Sequence, residues 1–208
     1  MKNIGISSLL FIGAFLAITT FISCDSDNDD TIIPVVTLSD QEIEDLKFSR
    51  EEEKLARDVY LYLYDVYGLN IFNNISSSEQ KHMDATLAIM NQYGVVDPAS
   101  LERGVFENSE LQQLYNDLIT QGDLSLIEAL KVGATIEDVD IRDLQNIINA
   151  ASSQDLINMY ENLECGSRNH MRSFISQLES NGGSYSPQFI TQEHFVSILN
   201  AAHENCGH

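Results

Sequence analysis

The chain has 208 residues, enough for one domain with a real core plus a tail. Its 32 acidic residues against 11 basic ones give a net charge of −21, which repels nucleic acid and anionic lipid surfaces and suits cations. A solvated acidic surface accounts for most of that charge; no glycine-rich phosphate loop occurs, and scattered Ser, His and Asp residues argue no catalytic triad.

Met1-Lys2-Asn3 is a short basic start, Ile4 to Ile22 is a nearly unbroken apolar run, and Ser23 precedes Cys24. That order is the pattern of a secretory signal, and a cysteine at the cut resembles a bacterial lipoprotein lipobox. The resemblance implies cleavage before Cys24, lipid on its thiol, and a protein anchored to the membrane of the cell envelope, on its periplasmic or cell-surface side. The run is also about long enough for a single transmembrane anchor. Residues 1–23 are read as the signal and residues 24–37 as a disordered acidic tether through Asp25–Asp30. The fold is sought in residues 38–208.

Ser39 or Asp40 can cap a first helix running to about Tyr67 and stopped by Gly68. Leu46, Ser49, Glu53, Ala56, Tyr60 and Leu63 form one row of it, and Glu52 lies in the adjoining row with Phe48, Leu55 and Val59. Asn70 to Ile75 reads as a connector. Ser76, Ser77 or Ser78 then caps a second helix, about Ser77 to Tyr93, whose stripe holds Glu79, His82 and Met83. Residues three apart share a helix face, so Glu79 and His82 can point at one spot. After an irregular stretch, Asn108 opens a short amphipathic helix to Gly122. Ser125 can cap the next, to about Ala150, with Gly133, Glu137 and Asp140 in its apolar row. Gly133 inside a helix costs about 1 kcal/mol against Ala, so it needs a packing or site reason. Ser152 or Ser153 opens a helix over about Gln154 to Glu179, with Ser167 and His170 on its inward row, and a last helix runs from Thr191 to about Ala202. No strand pattern of any length is present.

An inward carboxylate is costly unless paired or metal-bound. Arg57, Arg168 or Arg172 could pair with these as buried ion pairs, and a lone inward His is usually a hydrogen-bonded core residue. Against that stands the pattern of carboxylates and two histidines all on inward rows. Four stretches carry it: Arg50 to Tyr60, Ser78 to Asp84, Ile136 to Leu144 and Gly166 to Arg172. Together they resemble the ferritin-like superfamily, and more narrowly an uncharacterised prokaryotic ferritin-like domain family. The resemblance implies an all-α four-helix bundle with a long crossover between its second and third helices and extra short helices.

It also implies a di-metal carboxylate site. Glu53 with Ala56 and Tyr60 matches the first-helix Glu-x-x-Ala-x-x-x-Tyr of ferritins and rubrerythrins, which selects Glu53 over Glu52. Glu79 and His82 match the second-helix Glu-x-x-His, and Glu137 matches the third-helix Glu. The fourth helix supplies His170 but has Ser167 where a Glu is expected; Asp140 could substitute. Carboxylate with imidazole suits iron, manganese or zinc, and di-iron with ferroxidase or peroxide and oxygen chemistry is the family-level expectation. The alternative is a non-enzymatic helical interaction module without metal. Partners are then metal ions and, through Cys24, the membrane, with no nucleic acid; a homodimer stays open. Cys165 and Cys206 could pair outside the cytoplasm. His203 to His208 reads as a frayed end.

Overall fold

The computed structural model describes residues 37–207; the signal, Cys24 and nearly all of the tether lie outside them. Six helices occur among the described residues, with no strand: α1 (Asp40–Tyr67), α2 (Asn70–Tyr93), α3 (Ser109–Gly122), α4 (Leu126–Ala150), α5 (Gln154–Ser180) and α6 (Gln192–Asn200). Ser39 caps α1 in a reciprocal box with Glu42, and Gly68 ends it in the left-handed conformation at φ 63°. Asn108, Ser125 and Thr191 cap α3, α4 and α6 through their side chains.

The second helix corrects the sequence reading. It begins at Asn70, so the expected connector is its first turns. Phe72 and Ile75 are buried in the core, and that burial draws the intervening asparagines into the helix. Ser76 and Ser77 cap nothing; their hydroxyls donate to the Asn73 carbonyl one turn back, each at 2.9 Å.

α1, α2, α4 and α5 pack as a four-helix bundle, with α1 against α2 and α4, and α5 against α2 and α4. Tyr60 of α1 meets Gly133 and Glu137 near the start of α4, whereas Glu42 reaches Ser152 just past its end. The two helices are therefore antiparallel. α2 also reverses α1, so α2 and α4 run the same way and the chain must travel back along the bundle between them. Residues 94–125, carrying α3 against α1 and α4, make that crossover.

Buried carboxylates fasten the loops. Glu42 accepts the N–H groups of Ser152 and Ser153 at 2.9 and 3.0 Å, doing for α5 what the Ser153 side chain does not. Glu51 accepts those of Glu107 and Asn108 at 2.7 and 2.9 Å. Asp138 accepts those of Gln188, Phe189 and Ile190. Gly133 has its packing reason: a Cβ there would lie 2.4 Å from the Phe174 ring, so the glycine lets α4 and α5 close.

The apolar core falls into two clusters. One holds Leu55, Tyr60, Phe72, Leu130 and Phe174; the other holds Leu46, Met90, Leu144, Leu156 and Leu163. Between them along each bundle helix lie Glu53, Glu79, Glu137, Ser167 and His170, all buried.

The carboxyl-terminal segment is not frayed. Cys206 forms a disulfide with Cys165 of α5. Arg168 and Arg172 both hold Glu204, and Asn169 donates to its carbonyl at 3.0 Å.

Candidate metal centre

Each bundle helix sends side chains to one place. Glu53 comes from α1, Glu79 and His82 from α2, Glu137 from α4 and His170 from α5. They form two triads, Glu53–Glu79–His82 and Glu79–Glu137–His170, and within each triad the ligand atoms lie within 4.8 Å of one another. Glu79 belongs to both. Its Oε2 lies 2.8 Å from His82 Nδ1 and its Oε1 lies 2.9 Å from His170 Nδ1. Glu53 Oε2 approaches His82 Nδ1 at 3.1 Å, and Glu137 Oε2 approaches His170 Nδ1 at 3.4 Å. The imidazoles stack with centroids 5.5 Å apart.

Glu53 Oε2 and His82 Nδ1 are hydrogen-bonded, but other atoms of the site converge without bonding. Glu79 Oε1 and His170 Nδ1, though 2.9 Å apart, have no hydrogen-bond partner, and Glu53 Oε1 has none either. A buried polar atom left unpaired costs about 1 to 3 kcal/mol, so atoms that converge without bonding fit a third body between them. Metal–ligand bonds of about 2.1 Å would set neighbouring ligand atoms about 3.0 to 3.4 Å apart; the Glu53 and Glu137 approaches, 3.1 and 3.4 Å, fall within that range, and the two Glu79 approaches, 2.8 and 2.9 Å, fall just below it.

The expected rescue by arginine does not occur. Arg57 holds Asp58 and Gln80, while Arg168 and Arg172 are spent on Glu204. Tyr60 instead orients Glu137, donating to Oε1 at 2.5 Å and leaving Oε2 toward His170. Asp140, the expected substitute for the missing fourth-helix Glu, joins neither triad. The Ser167 hydroxyl lies between its Oδ2 and the Leu163 carbonyl, the latter at 3.0 Å, with one proton to give to either.

Residues 42–202 match the family described as uncharacterized protein domain DUF2202. The chain belongs to that family. It is 47% identical over 173 residues to the uncharacterized protein MJ0754 of Methanocaldococcus jannaschii, covering 83% of this chain and 94% of that one. The crystal structure of the hypothetical protein MJ0754 from Methanococcus jannaschii is similar to it with a TM-score of 0.80, covering 83% of this chain and 99% of that one.

Charge in this DUF2202 domain is distributed by burial and by the partners at each helix. Burial opposes a charge on His170, but Glu79 and Glu137 outweigh it and lift its pKa to about 10. His82 moves the same way, against burial, through Glu53 and Glu79. Burial likewise opposes ionisation of Glu79, yet His170 and His82 hold it below the ordinary carboxylate range. Burial prevails at Glu53, raised to about 7 despite His82. It also prevails at Asp140, where Glu53 and Glu52 add repulsion.

One residue, Glu52, is set aside by the sequence reading in favour of Glu53, and another, Gly166, escapes it. Glu52 faces a small apolar cavity lined by Leu55, Leu114, Leu118 and Ile136, and neither of its oxygens has a hydrogen-bond partner. Burial, then the Asp143 charge, pushes its pKa well above the ordinary value. Gly166 lies against the site: a Cβ there would be 2.5 Å from His82 Nε2. A glycine inside the helix that carries His170 was the available signal, of the same kind as Gly133. Beside Gly166, both imidazoles line an open cleft of about 760 Å³.

Proposed function

We propose that this chain is a ferritin-like protein whose bundle holds two metal ions, iron foremost with manganese or zinc as substitutes, in a carboxylate–histidine centre. Glu53, Glu79 and His82 would hold one ion and Glu79, Glu137 and His170 the other. The observation that carries the reading is Glu79, whose two oxygens each face a different histidine at 2.8 and 2.9 Å, as a bridging carboxylate does. The antiparallel α1 and α4, with the crossover through α3, agree with the ferritin-like arrangement.

When bound, two neighbouring irons supply electrons for the reduction of oxygen or peroxide. The chain's own residues would hold the ions and orient the ligands. Glu79 ties the two halves together. Tyr60 fixes Glu137 and can carry a proton at its hydroxyl. Ser167 stands where a second bridging carboxylate would, buried against Asp140, and the open approach to the centre is the cleft lined by His82, Gly166 and His170. Lipidation at Cys24 and an envelope location belong to the same proposal.

A second reading has its own support. With both imidazoles protonated, His82 and His170 neutralise Glu79 without any ion, as their raised pKa values favour. The domain would then be an interaction module whose buried charges are structural.

Elemental analysis of the protein from residue 38 onward, produced with iron available and purified without chelator, separates them. About two irons per chain, lost in Glu79→Ala, supports the di-metal centre. About one points to a lopsided site with one firm position. None, together with a melting temperature unmoved by iron or chelator, favours the module.

A further inference from the structure

Lysine and arginine are scarce in this chain, 11 against 32 acidic residues. Among the described residues, every arginine and every other lysine has a carboxylate partner. Lys81 has none. It stands on α2 next to His82 and lines the cleft of about 760 Å³ that reaches both imidazoles.

The rest of that lining matches. Among the described residues that line it, the one carboxylate is Glu204, already held by Arg168 and Arg172. Asn162 offers an amide and His203 an imidazole. One wall is the carboxyl-terminal segment, fastened through Cys206 to Cys165. In a molecule of net charge −21, this is a place where an anion meets an unspent positive charge and no free carboxylate.

We propose that the cleft is the reactant pocket of the centre and that it admits a small inorganic anion, with Lys81 as the counter-charge. This rests on the metal-centre reading for its purpose, though the pocket can be tested without it.

Sodium azide is the probe. In iron-loaded protein, with iron content measured on each sample, azide is titrated and its visible absorption gives a dissociation constant. Reversing one charge beside the pocket should raise that constant about tenfold in Lys81→Glu, with Lys81→Met between. In metal-free protein, the amide resonances of Lys81, Gly166 and Asn169 should shift on azide addition, and shift less in Lys81→Glu. Iron bound with the same azide affinity in wild type and Lys81→Glu overturns the pocket and leaves the metal centre standing. No iron bound, but amide shifts that depend on Lys81, supports the pocket and overturns the metal centre. Neither a shift nor an affinity difference overturns the pocket.

Discussion

Glu51, Glu52 and Glu53 are chemically identical and consecutive, yet they have three environments. Glu51 accepts two loop N–H groups, Glu52 is buried against leucines without a partner, and Glu53 joins the triad with Glu79 and His82. A helix turns about 100° per residue, so neighbours in sequence face different neighbours in space. Gly166 shows how tightly such surroundings are drawn. In Gly166→Ala the new methyl would sit 2.5 Å from His82 Nε2, so the ring must move off its line to Glu53 and Glu79. The expected result is selective: metal at the Glu53–Glu79–His82 triad is lost while the His170 triad keeps its ion, and stability falls by about 1 to 3 kcal/mol. Metal content and thermal melting of the purified variant check it; full retention of both ions would count against His82 as a ligand.

At the scale of the elements, latches made by single carboxylates decide how helices begin. Glu42 is the clearest. The Ser39 N–H above all, aided by Ser152 and Ser153 and opposed by burial, brings its pKa from 4.5 to about 2. A carboxyl group with a lower pKa folded than unfolded contributes its stability in full above the unfolded value and loses it as pH falls through the folded one. The window here is therefore from about pH 4.5 down to about 2. Glu42→Gln should cost about 2 kcal/mol in urea unfolding at pH 7 and progressively less below pH 4.5, so that the two proteins converge near pH 2.

Legibility follows the same division. Helices whose signals are local were readable from sequence: Ser39, Asn108, Ser125 and Thr191 start them, and Gly68 and Gly94 stop two. The start of α2 was not, because burial of Phe72 and Ile75 by distant helices overrode a polar, turn-like stretch. The inward rows of Glu53, Glu79, His82, Glu137 and His170 were readable because helical spacing is enough to place them. The hold of Glu42 on the start of α5, and the roles of Asp138 and Glu204, were not, because the partners concerned lie 30 or more residues away.

At the scale of the whole molecule, the disulfide closes a segment of 41 residues that includes α6. Constraining a loop of that length in the unfolded chain is worth about 4 kcal/mol in the entropic picture. Reduction, or the Cys165→Ser/Cys206→Ser pair, should therefore lower the melting temperature. It should also loosen the wall of the cleft, so that a chelator strips metal faster from the reduced protein than from the oxidised one. Equal stripping rates would show that the segment does not limit access.

The polar layer that divides the core has a mechanical meaning. The two apolar clusters are joined at mid-height through a layer of buried carboxylates and two imidazoles. Unloaded, the bundle has its weakest plane at its waist, and its ends can loosen independently. The two ions proposed above would together rivet all four helices, one joining α1 to α2 and the other joining α2 to α4 and α5, and the loaded molecule would unfold as one piece.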